Sequence, residues 1–274
     1  MLKGEKLIVV SGSSGKSIIL IEKHKARLVA KGFSQKPNID YFDTFALVTR
    51  ISSMQVLLAI ASIHKLVIHQ MDVKIAFLNG EVEEEIYMTQ PEGCVALGQE
   101  EKVCKLLKSL YGLKQAPKQW HEKLDNVLLC NDFSNNDVDK CVYTKSENEE
   151  CVIICLYVDD MLIFGTCIDI VSKSKLFLES KFEMKDMGEA SVILGVKVIR
   201  KGNNILLSQE QYTEKRLRKF GYYDFKSVST SYDANSKLMK NRGESISQSQ
   251  YAQIIGSLLH LMSFFYTKHC LCNK

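Results

Sequence analysis

The apolar positions in the first half of this chain follow two periods, one typical of helices and one of strands. A helix is predicted for residues 51–65, where Met54, Leu57, Leu58 and Ala61 recur at helical spacing. The other elements predicted in this half are strands at residues 7–10, 18–21, 26–30, 67–73, 86–88 and 103–107, a turn at 79–80 and a helix at 115–130.

The longest apolar run of the second half ends abruptly in two acids. Residues 151–158 are continuously apolar, Asp159 and Asp160 follow, and residues 161–164 are apolar again. This pattern predicts a buried hairpin with two carboxylates at its tip. Adjacent side chains of a strand point to opposite faces, so a tight turn is needed to bring both acids toward one ligand. A solvent-exposed turn is the alternative interpretation, because Asp is common in turns.

The remaining elements mix helices and strands without a regular βαβ rhythm. Ser208 and Gln211 form a capping-box pattern that opens a helix reaching about residue 220. The other predictions are a helix at 170–182, strands at 192–199 and 205–207, a polar linker at 224–246 and a last helix at 249–262. This order favours the α+β fold class.

Composition and charge are ordinary and exclude little. The chain has 274 residues, of which 46% are hydrophobic and 25% are charged, as is typical of globular proteins. The net charge is only +4, but basic residues cluster between positions 102 and 123, where Glu122 is the single acid. Such a stripe either faces phosphates or forms a solvated surface. Its members are Lys102, Lys105, Lys108, Lys114, Lys118 and Lys123.

Cysteine usage and hydropathy predict an intracellular protein. The nine cysteines are odd in number and contain no CxxC pair, which indicates reduced thiols and not a secreted disulfide framework. No apolar run approaches the roughly 18–20 residues that span a bilayer. The start of the chain is a poor signal peptide. We therefore expect no membrane partner and no secretion.

A third acid gives the two carboxylates of the hairpin a chemical context. Asp72 comes at the end of the strand predicted at residues 67–73. Three carboxylates at strand ends can form an oxygen-rich site for Mg²⁺, a hard cation that favours carboxylates and phosphates. Two such ions about 4 Å apart promote in-line phosphoryl displacement. The three acids together are therefore compatible with a phosphoryl-transfer site, and a solvent-exposed turn at Asp159 and Asp160 stays the alternative.

A rival nucleotide site is suggested near the N-terminus. Residues 11–17 read SGSSGKS after an apolar run, which resembles a P-loop. That loop requires a glycine five positions before its second glycine, and Val10 stands there. We therefore disfavour the interpretation of the chain as a P-loop NTPase.

An ordered series of motifs resembles the Ty/copia class of reverse transcriptases from about residue 25 to residue 262. The Asp-Asp pair alone is weak evidence, but the whole series in this order is specific. Its blocks are KARLVAKGF (25–33), IDYFDTF (39–45), HQMDVKIAFLNG (69–80), EEEIYMTQP (83–91), SLYGLKQAPKQW (109–120), YVDD (157–160), FEMKDMGE (182–189), LG (194–195), LSQEQY (207–212) and IGSLLHLM (255–262).

The resemblance implies roles for particular residues. Asp72, Asp159 and Asp160 would be the catalytic carboxylates and would hold two Mg²⁺ ions, with Mn²⁺ as a possible substitute. Phe77 would exclude a ribose 2′-hydroxyl, and core packing is its alternative role. The other nucleotide-binding residues would be Arg27 and Lys31 at the triphosphate and Gly112, Lys114 and Pro117 around the nucleotide and template. For Lys31 and Lys114 a solvated surface lysine is the alternative.

Two further residues near these motifs have competing interpretations. Lys185 lies where polymerases can place a proton donor to the leaving pyrophosphate, but a solvated lysine is the favoured interpretation. His69 begins the block at residues 69–80, just before the residues around Asp72. For His69, packing between strands is favoured over metal ligation.

The resemblance also implies an architecture, a right-hand polymerase with fingers, palm and a partial thumb. We expect a divergent segment at 1–24, fingers and palm at 25–200, and a partial thumb or connection with a truncated C-terminus at 201–274. The family usually has Ser-Pro where Ala46 and Leu47 stand, Pro at Ser231, and a different continuation after Met262. By this resemblance, we expect the RNase H and integrase regions to be missing from this chain.

The function implied by this family is RNA-directed DNA synthesis. Its partners would be an RNA or DNA template-primer and deoxynucleoside triphosphates, and its location cytoplasmic, within virus-like particles, or nuclear. The departures from the family pattern leave an alternative, a catalytically inactive transposon relic that folds and at most binds nucleic acid.

Overall fold

The computed structural model describes residues 4–9, 26–44, 48–91, 93–95, 97–202, 204–226 and 247–265. The P-loop-like residues 11–17, the strand predicted at 18–21 and most of the predicted linker lie outside these ranges. The chain divides into two compact units, the first comprising residues 1–54 and 66–189 and the second residues 55–65 and 190–274.

The helices agree closely with those predicted from apolar spacing. Their bounds are α1 Ile51–Ile63, α2 Ala116–Leu129, α3 Ile168–Lys181, α4 Glu210–Phe220 and α5 Gln248–Phe265. No helix within the described ranges is both long and apolar enough to span a bilayer.

Thirteen strands are formed by the described residues. Their bounds are β1 Gly4–Val9, β2 Ala26–Ala30, β3 Val67–Val73, β4 Tyr87–Thr89, β5 Val103–Lys105, β6 Ser134–Asn135, β7 Val142–Glu147, β8 Glu150–Tyr157, β9 Asp160–Gly165, β10 Met184–Glu189, β11 Val192–Ile193, β12 Val196–Lys201 and β13 Asn204–Ser208.

The first unit is built on a six-stranded sheet with the order β10-β3-β9-β8-β7-β6. Every neighbouring pair in it is antiparallel. Strands β8 and β9 form the predicted hairpin, and β9 continues the sheet by pairing with β3. The last residues of β3 and β8 and the first residues of β9 therefore lie together at one end of these central strands.

One face of this sheet is covered by helices α2 and α3. Met71, Met161 and Leu156 face each other across β3, β9 and β8, and each is at most 1% exposed. They belong to one hydrophobic cluster with Trp120 of α2 and Val171 of α3. Successive strand residues alternate between faces, so the neighbours of these residues in each strand point to the other face.

The second unit contains the antiparallel sheet β11-β12-β13 and helices α4 and α5. Helix α4 contacts α5 through the rings of Tyr212 and His260, whose centroids are 4.7 Å apart. Lys219 also donates to Gln253 Oε1 at 3.0 Å.

Two local predictions for this unit are wrong. The single strand predicted at 192–199 is broken into β11 and β12, because Leu194 and Gly195 both adopt positive φ and reverse the chain. The capping box is also absent. Gln209 is the N-cap of α4, while Ser208 ends β13, and Ser208 Oγ accepts from Glu210 N at 3.3 Å.

Candidate active site

Two of the predicted carboxylates meet across neighbouring strands. Asp72 is the second-last residue of β3 and Asp160 is the first of β9, and they are direct register partners. Such partners place their side chains on one face of the sheet, with Cβ atoms about 4.5–5.5 Å apart. Both residues are half-buried. The pairing therefore presents two carboxylates on the face opposite α2 and α3.

The third carboxylate, Asp159, lies in the turn that joins β8 to β9. Val158 precedes it with φ of +59°, which costs a β-branched residue about 1–2 kcal/mol. The indole Nε1 of Trp120 donates to Val158 O at 2.9 Å, and Val73 N donates to Asp159 O at 2.9 Å. These bonds tie the turn to α2 and to the end of β3, next to Asp72.

The carboxylate pair lies in a row that crosses four strands. Lys185 of β10 is the register partner of Asp72, and Tyr157 of β8 is the partner of Asp160. Lys185 is exposed, whereas Tyr157 is half-buried. The row therefore places an ammonium beside the carboxylates on the same face.

The structure assembles a pair of carboxylates more clearly than a trio. Across the described ranges, no three His, Cys, Asp or Glu side chains lie close enough together to form a metal site. Asp159 is adjacent through its backbone, but the three carboxylates do not form one group. The assignment of all three as metal ligands stays a prediction.

The chemistry of this pair fits a hard divalent cation. Mg²⁺ is commonly bound through one or two carboxylates together with substrate phosphates and waters. Asp72 and Asp160 supply two such carboxylates without a sulfur or imidazole ligand beside them in the row. Like charges directly opposite each other repel, and a bound cation would offset that repulsion.

Sequence reasoning missed one polar neighbour of the pair. Gln70 Nε2 donates to Asp160 Oδ1 at 3.0 Å. Gln70 precedes Asp72 by two positions in β3, so the two side chains share a face. That alternation was visible in the sequence, but the diagonal contact depends on the pairing of β3 with β9.

His69 lies on the other face of β3 and has a packing role. Its Nδ1 is 3.1 Å from Lys175 Nζ of α3, and Lys175 also forms an ion pair with Asp186. Burial, and then the nearby ammonium of Lys175, lower the pKa of His69 below its usual value. These contacts favour the packing interpretation over metal ligation.

Phe77 lies in a short 3₁₀ helix, Ala76–Asn79, that follows β3. Its ring centroid is 4.8 Å from that of Tyr111, with the planes tilted by 53°. Phe77 also packs against two hydrophobic clusters, one under the six-stranded sheet and one around Ile86 and Leu113. Core packing is therefore an observed role of Phe77, and exclusion of a ribose hydroxyl stays a prediction.

Gly112 allows a close approach between two of the sequence motifs. Its φ is +93°, and a Cβ at this position would lie 2.1 Å from Ala30 O. A Cβ on Gly32 would in turn lie 1.8 Å from Gly112 O. Ala30 N donates to Tyr111 O at 2.7 Å across the same contact. The glycine is thus required by contact with the end of β2, besides any contact with a nucleotide.

The other predicted nucleotide-binding residues lie in or near the segments that make this contact. Arg27 lies in β2, with its side chain outside the described part, and Lys31 is half-buried directly after that strand. Lys114 is exposed, and its backbone N donates to Gln35 Oε1 at 2.8 Å. Pro117 is in the first turn of α2, where its missing N–H leaves no helix bond unmade.

A buried amide network that the sequence did not reveal joins these segments. Gln35 Nε2 donates to Gln115 Oε1 at 3.0 Å, and Gln115 Nε2 donates to Asp40 O at 3.1 Å. Gln119 Nε2 donates to Glu84 Oε2 at 3.2 Å. Buried amides are stable when each is satisfied in this way. The network fixes the start of α2, whose N-cap residue is Gln115.

The basic stripe is partly neutralised by acids. Half of its six lysines form ion pairs with acids of the described ranges, which leaves less positive charge for phosphates than the sequence implied. The pairs are Lys105–Glu85 at 2.5 Å, Lys118–Asp43 at 3.1 Å and Lys123–Glu81 at 2.6 Å. The hydrogen bond from Lys123 lowers the pKa of Glu81.

A family model described as "Reverse transcriptase (RNA-dependent DNA polymerase)" matches residues 14–233 of the chain. The match includes the paired strands, the turn and helix α2. It covers well over half of the chain.

Proteins of transposons are similar to this chain. The "Retrovirus-related Pol polyprotein from transposon TNT 1-94" of Nicotiana tabacum is 43% identical over 251 residues, covering 88% of this chain and 19% of that protein. The "Retrovirus-related Pol polyprotein from transposon RE1" of Arabidopsis thaliana is 35% identical, with 88% and 16% covered. The "Putative transposon Ty5-1 protein YCL074W" of Saccharomyces cerevisiae is 31% identical, with 69% and 62% covered. The chain thus spans less than a fifth of the two Pol polyproteins.

Proposed function

This chain belongs to the reverse transcriptase (RNA-dependent DNA polymerase) family of Ty/copia-type retrotransposons, and we propose that it extends a primer with deoxynucleotides by metal-assisted nucleotidyl transfer. The template would be RNA or DNA paired with the primer. The activity of the whole Pol polyproteins is carried over here as part of this proposal, because the chain spans a small part of them.

The observation that carries the proposal is the direct pairing of Asp72 with Asp160 at the ends of two central strands. Two like charges held opposite each other and half-buried oppose folding, so a structural role does not explain them. A site that binds cations and phosphates does. Asp159, held by its backbone beside Asp72, would complete the set when substrate and cation are bound.

The reaction requires positioning more than covalent chemistry. When bound, two Mg²⁺ ions would activate the primer 3′-hydroxyl and neutralise charge on the phosphates. Asp72, Asp159 and Asp160 would hold these ions. The ammonium of Lys185, which lies opposite Asp72, would donate a proton to the leaving pyrophosphate.

Nucleotide selection would depend on the segment that follows β3. Phe77, braced by Tyr111, would occupy the space that a ribose 2′-hydroxyl needs. Arg27 and Lys31 would reach the triphosphate, since guanidinium and ammonium groups bind phosphate oxygens. Gly112 would let the backbone approach the nucleotide, in addition to its contact with Ala30.

We propose a right-hand arrangement for these parts. The six-stranded sheet with α2 and α3 would be the palm, and the segment around β2 would belong to the fingers. Fingers and palm would occupy residues 25–200, and residues 201–274 would form a partial thumb.

Primer extension tests this function. The full chain is incubated with a homopolymer RNA template, a DNA primer, the matching nucleotide and Mg²⁺. We expect wild-type extension, and a rate at least about 100-fold lower for Asp159→Asn, since loss of several kcal/mol of charge stabilisation has that effect. Asp137→Asn is the matched control, because Asp137 is exposed and pairs with Lys140 at 3.2 Å on the surface.

The same assay decides the alternative of an inactive relic. If the wild-type chain incorporates no more nucleotide than Asp159→Asn, the polymerase proposal fails for this chain. In that case, retention of a template-primer in a filter-binding assay would identify a chain that binds nucleic acid without extending it.

A further inference from the structure

Gln70 lies on the carboxylate face of β3 with unusual neighbours. Its register partner in β9 is Leu162, which is buried and apolar. Its partner in β10 is Gly188, which has no side chain. Instead of a direct partner, the amide of Gln70 reaches diagonally to Asp160 Oδ1 at 3.0 Å.

An irregularity in β10 creates this neighbourhood. The register of β10 with β3 runs residue by residue as far as Asp186 and Met71, and then passes over Met187, so that Gly188 faces Gln70. Without that shift, Met187 would face Gln70. A Cβ at Gly188 would meet no atom of the described residues within 4 Å, so none of their side chains fills the space next to Gly188. Bulges next to active sites commonly change the direction of a side chain in this way.

The chemistry of an amide donor suits a carboxylate that binds cations. The terminal torsion of Asp is soft, so a hydrogen bond is needed to fix the plane of the carboxylate. A lysine at position 70 would fix it too, but its charge would compete with a cation. The neutral amide of Gln70 donates to Oδ1 and leaves the charge of the pair unchanged. It also offsets part of the repulsion between Asp72 and Asp160.

We propose that Gln70 is a positioning residue for the cation site, which orients the carboxylate of Asp160 and thereby raises the affinity of the site for a divalent cation. This inference rests on the proposed function, because it requires that the carboxylate pair binds a cation. Gln70 acts through Asp160 and does not itself contact the cation.

Direct Mn²⁺ binding to the full chain tests the inference without reference to activity. Free Mn²⁺ is measured by electron paramagnetic resonance during titration of wild type, Gln70→Met and Gln70→Asn. Methionine keeps the length of the side chain and loses the donor, while asparagine keeps the amide and is too short to span the same distance. We expect both variants to raise the dissociation constant roughly tenfold, the effect typical of losing an outer hydrogen bond to a metal ligand.

Two reference variants separate the possible failures. Gln90→Met is the matched control, because the half-buried amide of Gln90 donates to Gln99 O at 2.6 Å and Lys102 O at 2.9 Å in a loop. It should bind Mn²⁺ as wild type does. Asp72→Asn should abolish the binding. If Asp72→Asn binds as wild type does, the proposed function itself fails.

The positioning role fails by itself if Asp72→Asn loses the ion while a folded Gln70 variant, confirmed by its circular dichroism, binds Mn²⁺ with the wild-type constant. Two variants are used so that misfolding of one still leaves a decisive test.

Primer extension gives a second readout. The Mg²⁺ concentration for half-maximal rate should rise roughly tenfold in Gln70→Met, while kcat at saturating Mg²⁺ stays within about threefold. A lower kcat with an unchanged Mg²⁺ requirement would instead indicate a general structural defect and overturn the proposal.

Discussion

Replacing Gly112 by alanine should destabilise the first unit far more than the loss of a glycine backbone alone explains. A Cβ at position 112 would lie 2.1 Å from Ala30 O and 2.8 Å from Val29 Cγ1. Because φ is +93°, an alanine there also costs about 1–2 kcal/mol of backbone strain. The clash is relieved either by crowding the neighbouring atoms or by separating the two segments, which breaks the hydrogen bond from Ala30 N to Tyr111 O. Either response costs about 1–3 kcal/mol more. The expected total is about 2–5 kcal/mol.

Gly98→Ala is the matched control for this prediction. Gly98 has a similar φ of +78°, but a Cβ there would meet no atom of the described residues within 4 Å. Its replacement should therefore cost about 1–2 kcal/mol, the strain alone. Equilibrium urea denaturation followed by far-ultraviolet circular dichroism gives the free energy of unfolding for both variants. Equal losses for Gly112→Ala and Gly98→Ala would refute the close approach of the two segments as the reason for Gly112.

Two further predictions concern buried polar groups. Trp120→Phe removes the indole N–H that donates to Val158 O. We therefore expect a free energy of unfolding in urea that is about 1–3 kcal/mol lower, and primer extension that is at least about tenfold slower. Primer extension at the wild-type rate by the folded variant would contradict a role of this hydrogen bond in holding the turn. Burial lowers the pKa of His121, whose Nε2 is 3.4 Å from the hydroxyl of Tyr143, so the neutral ring is favoured in the folded state. The stabilisation that the neutral ring of His121 contributes is present above the unfolded pKa of about 6.5 and is lost as the pH falls through the folded pKa. The melting temperature should therefore fall from pH 7.5 to pH 5, and it should fall less steeply for His121→Gln than for wild type. Identical slopes for the two proteins would contradict this role of His121.

Apolar periodicity predicted the strands and helices around the site because these elements are amphipathic or wholly buried. The pattern at 67–73 gave β3 with its observed bounds, and the run before Asp159 gave β8. Strand β10 was not predicted, since Met184–Glu189 is mostly polar and is held at an edge by pairing with β3. The prediction of one strand at 192–199 failed because apolar residues alone do not reveal the positive φ of Leu194.

The candidate site was predictable in its residues but not in its geometry. Asp72 and Asp160 were named from strand ends, yet their direct opposition depends on a register between segments far apart in the chain. Gln70 was missed for the same reason, because its bond to Asp160 is diagonal across that pairing. Gly112 was assigned to the nucleotide, while its contact with Ala30 depends on how the end of β2 meets a segment far away in the chain. Sequence patterns report local periodicity, and these contacts are long-range.

The rate of single-nucleotide addition by Asp72→Asn, compared with wild type on the same primed RNA template, is the most direct test of the central claim that the paired carboxylates perform nucleotidyl transfer. Asp72→Asn keeps the size of the side chain and the strand pairing while removing one charge from the pair. We expect addition at least about 100-fold slower than wild type at saturating Mg²⁺ and nucleotide, with an unchanged circular dichroism spectrum. Addition at the wild-type rate by the folded variant would contradict the account.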